Sequence, residues 1–469
     1  MEQLPDDVLV MTLKYVAVND VFTCRLVCKR LCSLALHRDV WRHRAIQDDD
    51  RCAGAVLRLA PCLDTLRVTG DRSRLAAATT RCAVARLELT WSHPHSFRDA
   101  ERAEYALIVR NQESLGRLRI LVLRILDFGE QFGPFKQTSD ILYRTVASCS
   151  GLKSLVVVFR PTKTTHPIVY GLPSSSLTYF SCAVDDHSAS FVNTILAGHA
   201  ATLEGVRIDT DSDLRQTTTA NLLAAMPRLR SLQCDGLFCG LEVVAECKTL
   251  REVDIYLQRR TPTGDGNVVA KFLRRASQLR RVRLDNIMKT VAEQWPVLVE
   301  AFEALASSGR SQLERLALSG FQELRPLIRA LPSLPTLRHL GVGRDPDDVL
   351  LKSITPFTAP ALKLLEITVA WDKCPHDWIH RDAVKAALTA NPLLHIKLSC
   401  NAVHRSVPPK CETCEEACHA GVNWHDVKKI GVYTHDPGTC PSPEAHTDAP
   451  DWVRTYERPI VLACTWIHM

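Results

Sequence analysis

The feature that most constrains this chain is a recurring apolar triplet: apolar, two variable residues, apolar, one variable residue, apolar. It occurs at Leu63/Leu66/Val68, Val84/Leu87/Leu89, Leu118/Leu121/Leu123, Leu152/Leu155/Val157, Leu177/Phe180/Cys182, Leu203/Val206/Ile208 and Leu229/Leu232/Cys234. It continues at Leu250/Val253/Ile255, Leu279/Val282/Leu284, Leu313/Leu316/Leu318, Leu337/Leu340/Val342, Leu362/Leu365/Ile367 and Leu393/Ile396/Leu398. These 13 occurrences span 330 residues in 12 steps, a mean step of 27.5, with single steps between 21 and 34. The last two apolar residues alternate with a variable one, as in a short strand with one buried face. Helical patterns lie upstream, for example Phe191 to Leu196, Val268 to Leu273, Pro296 to Ala306 and Ala383 to Leu388. One strand and one helix cannot bury their faces alone, but stacked copies can. The expected fold is therefore an α/β solenoid, with parallel strands on the concave face and helices on the convex face.

The repeat resembles the leucine-rich repeat, whose units run about 20–29 residues. It departs from that pattern at one slot. Leucine-rich repeats usually place Asn or Cys three residues after the third apolar position. Here the slot holds Leu126, Asp211, Leu237, Ile287 or Phe321, and Asn only at Asn401. The array is closer to divergent leucine-rich repeats than to the regular extracellular class. In a solenoid the outward strand positions line one extended surface suited to binding protein. Arg67, Glu88, Arg124, Arg207, Asp209, Asp254, Tyr256, Arg283, Asp285, Glu366 and Lys397 occupy such positions. Arg and Tyr are common interface anchors. Arg124, Arg207, Asp209, Asp254, Tyr256, Arg283 and Asp285 are the candidate substrate contacts; the alternative is that they are solvated strand residues.

Residues 4 to about 44 read as three short helices. Pro5 and the Asp6-Asp7 pair suit a helix start, because acidic side chains favour the positive end of the helix dipole. Leu9, Leu13 and Val16 follow at helical spacing. Asn19 or Asp20 can cap a second helix carrying Val21, Cys24, Val27 and Cys28. A third carries Leu31, Leu34 and Ala35, and Trp41 closes the unit. The run Leu4-Pro5-Asp6-Asp7-Val8-Leu9, then Asn19-Asp20-Val21, then Arg25-Leu26-Val27-Cys28-Lys29-Arg30-Leu31, ending at Trp41, resembles an F-box. That resemblance implies binding of a Skp-type adaptor and, through it, a cullin-based ubiquitin ligase. By position, Leu4, Pro5, Val8, Leu9, Leu13, Val16, Leu26, Val27 and Leu31 would be adaptor contacts or their immediate support. The alternative is a helical hairpin that only caps the array.

After Leu398 the repeat stops, and a Pro-, His- and Cys-rich stretch runs to Met469. The stretch holds Cys411, Cys414, Cys418 and His419, then His425, His435, Cys440, His446 and Cys464. Cys411 and Cys414 form a CxxC pair, which with later His or Cys can build a tetrahedral zinc site, because thiolate and imidazole are preferred zinc ligands. The second half of any such site is ragged. The other readings are a cap over the last repeat, with Trp424, Tyr433, Trp452 and Trp466 covering its core, or disorder. No cofactor is expected.

The formal charge of +6 comes without a dense Lys/Arg cluster, so neither nucleic acid nor membrane binding is expected. No run of about 18 apolar residues occurs, and the acidic start is unlike a signal peptide. The 18 cysteines are mostly scattered singly, which fits a reduced cytoplasmic or nuclear compartment. Phosphate loop, GxSxG, HExxH and dinucleotide motifs are missing from the sequence, and His95, His187 and His339 are isolated, so no catalysis by this chain is expected. The layout expected is a three-helix F-box over 1–46, a solenoid over 47–400, and a cap or tail over 401–469. Such a chain would be a ligase substrate receptor holding an unknown protein substrate. Otherwise it would be a repeat scaffold with no role in ubiquitination.

Overall fold

The computed structural model describes residues 4–69, 74–91, 99–125, 141–158, 176–186, 188–210, 217–236, 238–257, 268–286, 291–307, 312–343, 345–369, 374–400, 419, 422, 429–436, 438, 440 and 464–469. They fall into two compact units, Met1–Arg230 and Ser231–Met469.

The first unit opens with four short helices, α1 (Asp6–Tyr15), α2 (Val18–Cys24), α3 (Lys29–Leu34) and α4 (Arg38–Trp41). The third helix expected from sequence is thus two, broken at Ala35–His37. Seven strands follow: β1 (Ala45–Gln47), β2 (Cys62–Val68), β3 (Ala83–Trp91), β4 (Ile120–Ile125), β5 (Ser154–Val157), β6 (Tyr179–Val184) and β7 (Gly205–Thr210). Each pairs in parallel with the next in chain order. Parallel neighbours need a crossover, and helices such as Asp99–Ser114 and Ala189–Gly198 supply it.

The second unit continues the same pattern. Strands β8 (Ser231–Asp235), β9 (Glu252–Leu257), β10 (Arg281–Asn286), β11 (Arg315–Ser319), β12 (His339–Val342), β13 (Leu364–Val369) and β14 (His395–Cys400) are all parallel. Then the direction changes. Strand β15 (Lys429–Tyr433) lies antiparallel to β14, and β16 (Thr465–His468) lies parallel to β15. Both units are mixed α/β with a long parallel sheet, as in an α/β solenoid.

The apolar triplets form the core. In the first unit Leu66, Leu87, Leu121, Leu155, Phe180 and Val206 sit in one register row and are buried. In the second, Val253, Val282, Leu316, Leu340, Leu365 and Ile396 do the same. Each such side chain contributes about 1.5–3 kcal/mol by leaving water. Every triplet position is buried except Leu393, which is 52% exposed. Its neighbour Leu394 is fully buried instead, so the last triplet is shortened by one residue. Two adjacent leucines hid that shift from the pattern. The helices expected around residues 191–196, 268–273, 296–306 and 383–388 are present.

A backbone staircase joins consecutive steps. The carbonyl of Arg251 accepts the amides of Arg280 and Arg281 at 2.8 and 3.0 Å. Arg280 does the same for Glu314 and Arg315, Glu314 for Arg338 and His339, and Arg338 for Lys363 and Leu364. In the first unit Arg119, Lys153 and Thr178 play this part. Hydroxyls reinforce the stacking. Ser176, Thr202 and Thr336 donate to the carbonyls of Leu152, Leu177 and Leu313 at 2.6, 2.8 and 2.9 Å, each spanning one step. These bonds give main-chain carbonyls partners from one step to the next. At the slot usually held by Asn, Phe321 is buried. Leu126, Asp211, Leu237, Ile287 and Asn401 lie outside the described residues.

Two glycines are required by their surroundings. Gly320 has φ 75°, and a Cβ there would overlap the Asn286 carbonyl. At Gly431, on β15, a Cβ would overlap the Trp466 ring of β16. Among the described residues no helix is long and apolar enough to cross a membrane.

Candidate functional site

The N-terminal helices build a small core of their own. Leu9, Val10 and Leu13 of α1 pack with Val21, Leu31, Leu34, Ala35, Val40 and Trp41. The Trp41 indole donates to the Ala35 carbonyl at 2.7 Å and lies 5.5 Å from the Phe22 ring. Pro5, extended at ψ 151°, is the N-cap of α1, with Asp6 and Asp7 in its first turn. At α2 the sequence expectation needs correction. The helix begins at Val18 with Ala17 as N-cap, so Asn19 and Asp20 lie inside the first turn. Asp20 still suits the dipole there. The α2–α3 turn ends in extended Cys28, whose sulfur accepts the Leu31 amide at 3.4 Å.

Two arginines hold the module in shape. Arg30 pairs with Asp6 at 2.6 Å and donates to the Leu4 carbonyl, fastening the start of α1 to α3. Arg44 reaches the other end. Its Nη2 donates to the carbonyls of Leu13 and Val16, both at 2.7 Å, and Lys14 at 3.3 Å. Its Nε donates to Val40 at 2.7 Å, and its guanidinium stacks 5.4 Å from Trp41. A helix end leaves carbonyls without intrahelical partners, and Arg44 satisfies them. Burial lowers its pKa from the ordinary arginine value.

The outer surface is apolar. Leu4 is 44% exposed, Met11 63%, Tyr15 85%, Leu26 86% and Val27 65%. Val8, Met11 and Tyr15 recur at i, i+3 and i+7, so they form a second stripe along α1 beside the buried one, and Leu4 stands just before the helix. Leu26 and Val27 protrude from the α2–α3 turn. The Arg30 bonds to Leu4 and Asp6 hold the start of α1 against α3, the helix that follows this turn. Of the nine positions singled out by sequence, Leu4, Pro5, Leu26 and Val27 are exposed, and Val8 and Val16 are half-buried. Leu9, Leu13 and Leu31 are buried in the module's own core and support the surface without forming it. Met11 and Tyr15 share the exposed surface although the motif did not point to them; the second helical stripe was the signal for them.

Residues 1–47 match the F-box-like family model. The chain carries an F-box-like domain. F-box domains generally bind Skp-type adaptors, so this one suggests adaptor binding in a ubiquitin-ligase context. No curated protein matches the chain. Behind the F-box, α4 packs against β2, and the Arg44 carbonyl accepts the amides of Asp64 and Thr65 at 2.9 and 3.2 Å. The F-box thus joins the sheet through α4 and Arg44, and Leu4, Met11 and Tyr15 stay exposed outside that junction.

The polar strand positions are largely paired among themselves. In the first unit Arg207 meets Asp209 at 2.9 Å on the same strand face, and Arg67 meets Glu88 at 3.1 Å. Arg124 is half-buried on β4. In the second unit Arg283 meets Asp285 at 2.8 Å, with Asp254 in register beside Arg283 and Tyr256 beside Asp285. Burial works to lower the Arg283 pKa, but Asp285, Asp254 and Tyr256 outweigh it and hold it above the ordinary value. The Gln233 amide donates to the Tyr256 hydroxyl. Each unit thus carries ion pairs among its outward strand positions, and Asp285 itself is buried.

Of the tail's candidate ligands, Cys411, Cys414 and Cys418 lie outside the described residues. His419 stacks against His380, with ring centroids 5.2 Å apart, and lies 5.4 Å from His376. A second group brings His395, His435 and Cys440 together.

Proposed function

We propose that this chain is the substrate-recognition subunit of a cullin-based ubiquitin ligase. The F-box binds a Skp-type adaptor, and a leucine-rich-repeat solenoid spanning roughly 47–400 captures a protein substrate. The observation that carries the reading is the exposed apolar surface of Leu4, Met11, Tyr15, Leu26 and Val27 on a module whose core is otherwise complete. An apolar patch of this kind marks a protein interface. If the helices were only a cap on the array, that surface would be turned inward.

In this reading the chain is not an enzyme. Partner enzymes perform ubiquitin transfer, and the chain supplies proximity between ligase and substrate. It needs no cofactor and works in the cytoplasm, the nucleus or both. The strand faces that carry the Arg207/Asp209 and Arg283/Asp285 ion pairs are the surface offered to substrate.

The test is binding of a purified Skp-type adaptor to the wild-type chain and to Leu26→Asp/Val27→Asp. Both residues are exposed, so the variant folds normally. Charges buried without partners in an apolar interface are costly, and loss of one hot spot alone weakens binding about 30-fold. A wild-type chain that binds no adaptor would overturn the receptor reading in favour of a scaffold outside ubiquitination.

A further inference from the structure

We propose that His395, His435 and Cys440 hold a zinc ion that fastens the antiparallel tail strand to the last parallel strand. His395 begins β14, His435 follows β15 by two residues, and Cys440 lies five residues further on. Both imidazoles are buried, and one donor atom from each of the three residues lies within 4.8 Å of the other two.

The ring tautomers follow from the hydrogen bonds. His395 Nδ1 is 3.1 Å from the Lys363 carbonyl, and His435 Nδ1 is 3.0 Å from the Pro392 carbonyl. A carbonyl oxygen only accepts, so each Nδ1 carries the proton. A neutral imidazole protonated at Nδ1 has its lone pair at Nε2. Metal-bound histidines are typically oriented in this way, with the second ring nitrogen donating to a carbonyl. Here two separate main-chain carbonyls prepare two histidines of one cluster.

The spacing agrees. Zinc binds imidazole nitrogen at about 2.0–2.1 Å and thiolate at about 2.3 Å, so a tetrahedral N···S edge is about 3.6 Å. Cys440 Sγ lies 3.6 Å from His395 Nε2. Nitrogen and sulfur donors favour zinc over magnesium or calcium, which take oxygen. On binding, the Cys440 S–H bond breaks, a Zn–S bond forms, and the proton passes to solvent. The three side chains fill three of the four positions of a tetrahedral ion. Their place in the fold argues for a structural role. One ligand comes from the repeat sheet and two come from the tail, so the ion links segments about 40 residues apart in sequence.

The competing account of the same distance is a simple thiol–imidazole hydrogen bond. Metal analysis of the purified full chain, dialysed against metal-free buffer, separates the two. The wild type is expected to hold one zinc more per chain than Cys440→Ser or His435→Asn. Taking the difference isolates this site from any zinc bound at His376, His380 and His419. Cys440→His guards against misfolding, because it restores a nitrogen donor and should keep the zinc. Loaded with Co²⁺, the wild type should show a thiolate-to-cobalt charge-transfer band that is weaker in Cys440→His. Equal zinc in the wild type, Cys440→Ser and His435→Asn would overturn the proposal, as would a wild type that retains neither zinc nor cobalt.

Discussion

Replacing Arg44 by Met should loosen the whole F-box while leaving the strands behind it intact. The guanidinium is a single cap for the end of α1, with bonds of 2.7 Å to Leu13 and Val16 and a further 2.7 Å bond to Val40 on α4. A hydrogen bond to a charged group contributes about 1.5–3 kcal/mol. Arg44 is half-buried, so water replaces part of what is lost and the low end applies. Two strong bonds at that end give a loss of about 3 kcal/mol, or about 150-fold in the opening equilibrium. Native-state hydrogen exchange reads this directly. Amides of α1, α2 and α3 should exchange about 150-fold faster in Arg44→Met, while those of β3 and β4 keep their wild-type rates. Arg44→Lys keeps the charge but not the planar fork, and should fall between the two. Exchange in α1 within threefold of wild type would refute the assignment of Arg44 as the cap. Uniform acceleration through β3 and β4 would refute the idea that the F-box opens as its own unit.

Two other outcomes follow from the electrostatics. Burial tends to raise the Glu366 pKa, but His339 at 3.6 Å, Lys397 and Lys429 pull it below the ordinary glutamate value. Its stabilising contribution is therefore complete above the unfolded glutamate pKa and is lost as pH falls through the lower, folded one. Urea melts of Glu366→Gln should show a flatter acid limb than wild type; an unchanged limb would remove Glu366 from the account. The cysteines give a second check. Burial pushes the Cys82 thiol up to about 12 and raises Cys149 and Cys182 as well, whereas Cys28 is exposed beside Leu26 and Val27. Iodoacetamide at neutral pH should modify Cys28 and spare those three, and bound adaptor should slow the Cys28 reaction. Labelling of Cys28 at the same rate with and without adaptor would place the interface elsewhere.

The strands were legible in the sequence because burial on one face of a strand writes itself as alternation. Leu316/Leu318 and Leu365/Ile367 needed no tertiary information. Local ambiguity caused the one slip, since Leu393 and Leu394 are equally apolar and only packing decides between them. The F-box was legible as an ordered set of short motifs, but the exposed partners on α1 were not. Met11 and Tyr15 look like ordinary helix residues until the buried stripe is placed. Of the His395/His435/Cys440 group, the sequence pointed to His435 and Cys440 as tail residues, but not to His395 as their partner. Sequence spacing finds ligands that are close in the chain, such as Cys411 and Cys414, and strand pairing between β14 and β15 brings these together from afar.

The carbonyl staircase has a bearing on how such a chain can change length. Each step bonds to the step before it through one acceptor and two donors at equivalent places. Joining Arg280 directly to Arg315 would excise one whole step. The Arg315 amide would then fall where the Arg281 amide was, and the Arg280 carbonyl would meet Arg338 and His339. The main chain is indifferent to such an excision, whereas a cut that begins and ends at non-equivalent places would leave donors and acceptors out of phase. The molecule can be lengthened or shortened like a ladder, by the rung, with its side chains alone left to record which rung was removed.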